Sequence, residues 1–381
     1  ALAFLLLFIS LAGSLWGQSA GNYAFSTDAN GVLENMSSGT TQLYGPGIDI
    51  YTAVLQDIGF PFVFMGQAYT QFSANPDGQI RLGSTVISGH TLTAAVNTPF
   101  IIALNIDNKT GATGKVHFKI TGSAPNRVLV IEWLDILINW NASGTDLSTY
   151  QAFLYETTGK IEFRYGKMWN SSTSAQTTSI GFSSSNTLGT IGQLLTINET
   201  PTYNTTATSY TTTSFNGSSA MTNLNSTIDG ARRFFSFTPG AAATAPSNLT
   251  FSSVGVNGMT LNWADSPDEI GYAVFVSTDG VNYTLLNGNI AANTPTYAAT
   301  GLFPNTTYHW RVCALSEGKL GTPLTGSQAT PAPTEITSVA TGNWNATTTW
   351  STGTVPTSTD NVTIANGHTV TINAASLSCI N

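Results

Sequence analysis

Across 381 residues, 41% are hydrophobic and only 8% are charged, which leaves room for two or three domains with cores of their own and excludes an intrinsically disordered chain. Twenty acidic residues against twelve lysines and arginines give a net charge of −8; binding a nucleic-acid backbone needs clustered cations, so nucleic acid is excluded as a partner. Thr, Ser, Asn and Gly fill the deficit in charge, a composition suited to exposed sheet faces and long loops.

The chain opens on an apolar run, Phe4 to Ile9, followed by the small and polar residues Gly17-Gln18-Ser19-Ala20. This pattern predicts a secretory signal peptide over residues 1–20, because the run is shorter than the roughly 20 residues a bilayer span needs. A secreted or outer-cell-surface location follows, with no membrane insertion after cleavage. The missing initiator Met and basic leader, and a patterned strand at the C-terminus, read as a piece of a longer gene product.

Residues 21–239 hold many short runs of period-two or wholly apolar character, among them Ile58 to Phe64, Val128 to Trp133, Tyr150 to Tyr155, Lys160 to Tyr165 and Arg233 to Phe237. No helical period lasts beyond about two turns, so an all-β, jelly-roll-like sandwich is predicted. The clearest hairpin is QAFLYETTGKIEFRYG, where Thr157-Thr158-Gly159 turns the chain and Phe153, Tyr155, Ile161, Phe163 and Tyr165 are placed to pair across strands. Within this domain Trp133, Trp140, Tyr150 and Trp169 are the candidate ligand-binding residues, as stacking platforms for a sugar ring, with Asn139, Asn141 and Asp146 as hydrogen-bonding groups. From Asn198 to Asp229 the sequence turns Thr/Ser/Asn-rich, which predicts a long exposed excursion.

A linker of small residues, 240–246, leads into a second sandwich at 247–332. There Leu261 and Trp263 share one inner face, Tyr272, Val274 and Val276 the next, and Tyr308, Trp310, Val312 and Ala314 another. The stretch Leu302-Phe303-Pro304-Asn305-Thr306-Thr307-Tyr308 resembles the approach to the tyrosine corner of fibronectin type III modules. With Trp263 and Tyr272 in the core, it identifies the segment as similar to that family, which implies an immunoglobulin-like spacer or binding unit. Residues 333–381 form an incomplete β-repeat module, with short strands expected at Asp360 to Ile364 and His368 to Ile372. Linkers on either side of the fibronectin-like module predict beads on a string.

Little in the chain favours catalysis. His90, His117, His309 and His368 lie apart, with no HExxH and no clustered Cys/His spacing, so no metal, cofactor or catalytic set is expected. Glu132 and Asp135 differ by an odd number and would face opposite sides of a strand. Glu156 and Glu162 are candidate cross-strand neighbours, explained equally well by a solvated face bearing Lys160 and Arg164. Asp265, Asp268 and Glu269 read as solvated turn charge. Cys313 and Cys379 sit in different modules; Cys313 has outward parity and is expected to be a lone, partly exposed thiol.

Two further resemblances extend over the flanks. IGFPFVFMGQAYTQFSANPDGQIRLGS, FIIALNID, SAPNRVLVIEW, FLYETTGKIEFRYG and ARRFFSFTP together resemble the N-terminal β-sandwich of large bacterial surface proteins exported by type IX secretion. The chain departs from that pattern at Ala103-Leu104-Asn105-Ile106-Asp107, where an acidic, aromatic turn would be expected. The segment from Ser338 on resembles bacterial surface repeats that run into a parallel β-helix. The resemblances imply a non-catalytic secreted or cell-surface protein with a structural or adhesive role, its partner an extracellular glycan or a matrix or surface protein. The alternative is a carbohydrate-binding accessory region of a secreted hydrolase.

Overall fold

A computed structural model describes residues 19–49, 53–88, 99–184, 194–198, 205–208, 211–224 and 232–373. The predicted signal peptide, His90 and Cys379 lie wholly or almost wholly outside these residues. Of the Thr/Ser/Asn-rich tract, residues 205–208 and 211–224 are described, and the expected exposed excursion is corrected there: its apolar residues Phe215, Met221 and Leu224 are buried in the first core. Among the described residues the regular structure is almost all strand; the helical segments are two single 3-10 turns, Ala20–Asn22 and Thr347–Thr349.

The first sandwich stacks two seven-stranded sheets. One orders Ala24–Gly31, Arg232–Thr238, Ile161–Tyr165, Ser148–Tyr155, Val128–Leu137, Lys109–Thr121 and Thr41–Tyr44; the other orders Thr205–Ala207, Leu194–Asn198, Gly181–Ser183, Phe100–Ile102, Gln79–Leu82, Gln67–Ala74 and Gln56–Phe64. Period-two alternation decides which side chains meet between them. Ile161, Phe163 and Tyr165 sit opposite Leu154, Ala152 and Tyr150, and all six are buried in one core with Trp133, Phe182, Phe235 and Phe237. The predicted hairpin forms, with Gly159 at φ +62° in its turn, but Phe153 and Tyr155 do not join Ile161, Phe163 and Tyr165 on one face. Phe153 faces Glu162 in register, and both aromatic rings lie on the outer face of the sheet, where Phe153 packs on Met36 and Val130.

The second sandwich has a three-stranded sheet, Ser247–Gly255, Gly258–Ala264 and Thr296–Thr300, and a four-stranded sheet, Thr284–Ala291, Gly271–Ser277, Thr307–Leu315 and Leu324–Ala329. Leu261, Trp263, Tyr272, Val274, Tyr308, Trp310, Val312 and Ala314 form its core, the inner faces expected from the sequence. Trp263 meets Tyr272 edge-on at 5.2 Å. Leu302 is buried at the turn before the corner, where the Phe303 N–H donates to the Tyr308 hydroxyl at 2.7 Å and Thr306 Oγ1 donates to the Pro304 carbonyl at 2.9 Å. This is the tyrosine corner of a fibronectin type III domain.

The beads-on-a-string expectation fails at the first junction. Thr244, in the linker, donates through N and Oγ1 to Asp268 at 2.8 and 3.1 Å, and Ala243 is buried in the second core. Cys313 is 4% exposed, not a half-exposed thiol. Its outward parity is as read, but Val63 and Ala68 of the first sandwich cover that face, and burial pushes the thiol up to about 12.

Beyond the second sandwich, Glu335–Thr337 pairs in parallel with Asn361–Thr363, and Gly342–Asn343 with Val370–Thr371. Ile336, Trp344 and Trp350 make a small core beneath them. The strands expected at 360–364 and 368–372 are present in shortened form and pair with earlier strands.

Candidate ligand-facing surface

The four aromatic candidates divide into two buried and two accessible rings. Trp133 and Tyr150 lie opposite each other in register, stack at 5.1 Å with planes 11° apart, and are both 0% exposed. Neither presents a face to solvent, so the reading of these two as sugar platforms is corrected. Both residues have inward parity on central strands, and the Trp133 indole N–H is spent on the Asn75 carbonyl at 2.7 Å.

Trp140 and Trp169 lie in the segments that follow strands 128–137 and 161–165. Trp140 is 49% exposed, just after Asn139, whose φ of +84° turns the chain and whose Oδ1 accepts from the Asn141 N–H at 3.1 Å. Trp169 is half-buried and fixed by Ser148, whose Oγ accepts from the Trp169 N–H at 2.8 Å. The Lys167 ammonium lies 6.0 Å from the centre of the Trp169 ring and pairs with Asp146 at 2.8 Å. Asp146 therefore ties the loop that carries Trp140 to the segment that carries Trp169. An exposed indole, a half-exposed indole, an ammonium and a carboxylate at one end of a sandwich can stack on an apolar ring face and hydrogen-bond to hydroxyls.

The carboxylates weighed for catalysis are committed elsewhere. Glu132 accepts from Gln151 Nε2 at 2.6 Å and sits 2.7 Å from His117 Nε2, while Asp135, at φ +54°, accepts from Thr113. Glu156 takes Arg127 in a bidentate pair at 2.6 and 2.8 Å, and this partner holds its carboxyl below the usual range. Glu162 is bound by Lys160 and Arg164 on its own strand side. In the second sandwich, Asp265 accepts from the Tyr272 hydroxyl at 2.7 Å and Glu269 from the Asn293 N–H at 2.9 Å. With Asp268 holding the linker, this loop is a set of structural acceptors and not solvated turn charge. Among the described residues no three His, Cys, Asp or Glu side chains converge as metal ligands.

Two polar features escape a reading of period and spacing. His117, Glu132 and Gln151 form one cross-strand row that is buried although it lies on the outer face of its sheet. Residues 32–37 cover it: Gln151 accepts from the Glu34 N–H at 2.8 Å and donates to the Glu34 carbonyl at 2.9 Å, and Lys119 donates to the Asn35 carbonyl. The second feature is Asp77, in the turn between strands 67–74 and 79–82. It accepts from the Asn108 N–H at 2.8 Å and from Asn75 Nδ2 at 3.2 Å. Burial, with Asp107 and Asp49 nearby, pushes its carboxyl up to about 8. The Asn-Pro-Asp-Gly turn was the only signal in the sequence, and it marks a turn without marking its depth.

Comparison with known proteins gives two family matches. Residues 22–239 match the model described as NIDO related, and residues 244–327 match the fibronectin type III domain; no catalytic family is identified. No match is found among curated proteins. Similar solved structures include one titled as a myokine structure, 23% identical over 24% of this chain and 99% of that one, with a TM-score of 0.21. Another is an Fn3-like protein from Clostridium thermocellum, 28% identical over 23% of this chain and 92% of that one, TM-score 0.21. A third is an FN3 domain of human collagen XX, 22% identical over 23% of this chain and 98% of that one, TM-score 0.20. Among the described residues no helix is long and apolar enough to cross a membrane.

Proposed function

The chain belongs to the NIDO-related family, whose model spans more than half of its 381 residues, and from that premise we propose that it is a secreted or cell-surface adhesion protein. In this reading the loop end carrying Trp140 and Trp169 contacts an extracellular glycan or a glycosylated matrix protein. NIDO-related and fibronectin type III domains are typical of non-enzymatic, extracellular-type proteins. Export by type IX secretion, and continuation of residues 333–381 into a parallel β-helix, belong to the same proposal. The parallel pairing of 335–337 with 361–363 and of 342–343 with 370–371 supports the second of these.

The observation that carries the reading is the contrast between committed and available groups. The carboxylates weighed as an acid–base pair are held in ion pairs or structural hydrogen bonds, whereas Trp140 leaves half of its surface in water in a loop tied by Asp146 and Lys167. A glycan array and a panel of matrix proteins, probed with the full chain and with Trp140→Ala and Trp169→Ala, test it. Specific binding lost in both variants is the expected result; binding unchanged in both refutes the site. The accessory-region alternative rests on the same aromatic end, and a hydrolase domain found in one polypeptide with these residues would favour it.

A further inference from the structure

We infer that the two sandwiches act as one stiff body, with the fibronectin type III domain clamped to its neighbour and not serving as a free spacer. The argument begins with parity. A strand with one solvated face alternates apolar and polar residues, yet strand Gly271–Ser277 and the end of strand Thr307–Leu315 from Val312 on are buried on both faces. Their outward residues Ala273, Phe275, Cys313 and Leu315 are 0 to 7% exposed, because Val63 and Ala68 of the first sandwich, with Tyr283, Leu285 and Leu320 of the second, pack on them in one apolar cluster.

The approach is close enough to involve the backbone. A Cβ at Gly288 would run into the Ala68 carbonyl, and one at Gly159 into the carbonyl of Gly318. The turn between strands 307–315 and 324–329 is held by the first sandwich: the Glu317 carbonyl accepts from the Tyr23 hydroxyl at 2.9 Å and from the Gly66 N–H at 3.3 Å. Its carboxylate accepts from Asn22 Nδ2. With Thr244 pinned to Asp268, apolar packing, side-chain bonds and the connecting segment all restrain the same junction. A junction with only a flexible linker would leave domain motion as the default; here the linker is bonded to Asp268, and Val63 and Ala68 pack on the facing sheet. Two consequences follow. The outward face of the four-stranded sheet around Ala273, Phe275, Cys313 and Leu315 is covered from within the chain, and the orientation of the Trp140–Trp169 end is fixed relative to the second sandwich, whatever ligand that end binds.

Cys313 reports on the clamp. In a Cys379→Ser background, the native protein should react with a thiol reagent about a thousandfold more slowly than an exposed thiol. Val63→Asp, from one side of the interface, and Phe275→Asp, from the other, should each raise that rate about a hundredfold and increase the radius of gyration by small-angle X-ray scattering, with the far-ultraviolet circular dichroism of β structure retained. Rapid labelling of the native parent overturns the inference, as does protection and an unchanged radius of gyration in folded Val63→Asp and Phe275→Asp. Loss of β structure in one variant leaves the other, and the labelling rate of the parent, as the deciding measurements.

Discussion

Replacing Asp77 by Asn should abolish the pH dependence of stability that this position contributes. Asp77 is 2% exposed, and its carboxyl is raised from 3.8 to about 8. A raised native value means that the folded state binds the proton more tightly than the unfolded chain does. The contribution is therefore fully present below about pH 4 and is lost as the pH rises towards 8. About four pH units at about 1.4 kcal/mol each bound the loss at about 6 kcal/mol. The variant is neutral at every pH, so the contribution no longer falls. Its Oδ1 can still accept from the Asn108 N–H, whereas its Nδ2 meets the Asn75 amide donor, a lost hydrogen bond that costs about 1 kcal/mol. Urea denaturation should therefore find Asp77→Asn slightly less stable than the parent at pH 4 and more stable at pH 8, with the curves crossing between. Parallel curves over that range, or a 13C titration of the Asp77 carboxyl near pH 4, would refute the reasoning.

Tyr308→Phe keeps the ring of the tyrosine corner but leaves the Phe303 N–H without its acceptor, and should cost about 1–2 kcal/mol by chemical denaturation, with glycan binding unchanged. Gln151→Leu removes both hydrogen bonds to Glu34 and one to Glu132, for a loss of about 2–3 kcal/mol. Hydrogen exchange in residues 32–37 should accelerate more than exchange in the strands beneath them, and uniform acceleration would argue that this segment is not held by Gln151.

The fibronectin type III domain was legible because its determinants are local in sequence. Alternation placed Trp263, Tyr272 and Trp310 in the core, and the spacing from Leu302 to Tyr308 placed the corner. The aromatic candidates were half legible. Trp133 and Tyr150 share a face of neighbouring strands, but nothing local in the sequence shows that a second sheet closes over that face and leaves no aromatic surface outside. Trp140 lies in a loop and Trp169 in a two-residue strand, Trp169–Asn170, too short for alternation to set its exposure, and the segments that carry them are linked by the Asp146–Lys167 pair and by Ser171 Oγ donating to the Asp146 carbonyl.

The buried row of His117, Glu132 and Gln151 lies on a face that alternation assigns to solvent. It is covered by residues some 80 positions or more away in the chain, a contact that no local pattern encodes. Asp77 is the same case in a turn. Composition and alternation by themselves determined an all-β chain and its two sandwich cores, because these depend on residue type and on neighbours two positions apart. Tertiary structure decided which outward faces stay wet. Cys313 shows the reason: its direction was set by the strand that carries it, but its burial was set by Val63 and Ala68, about 250 residues earlier in the chain.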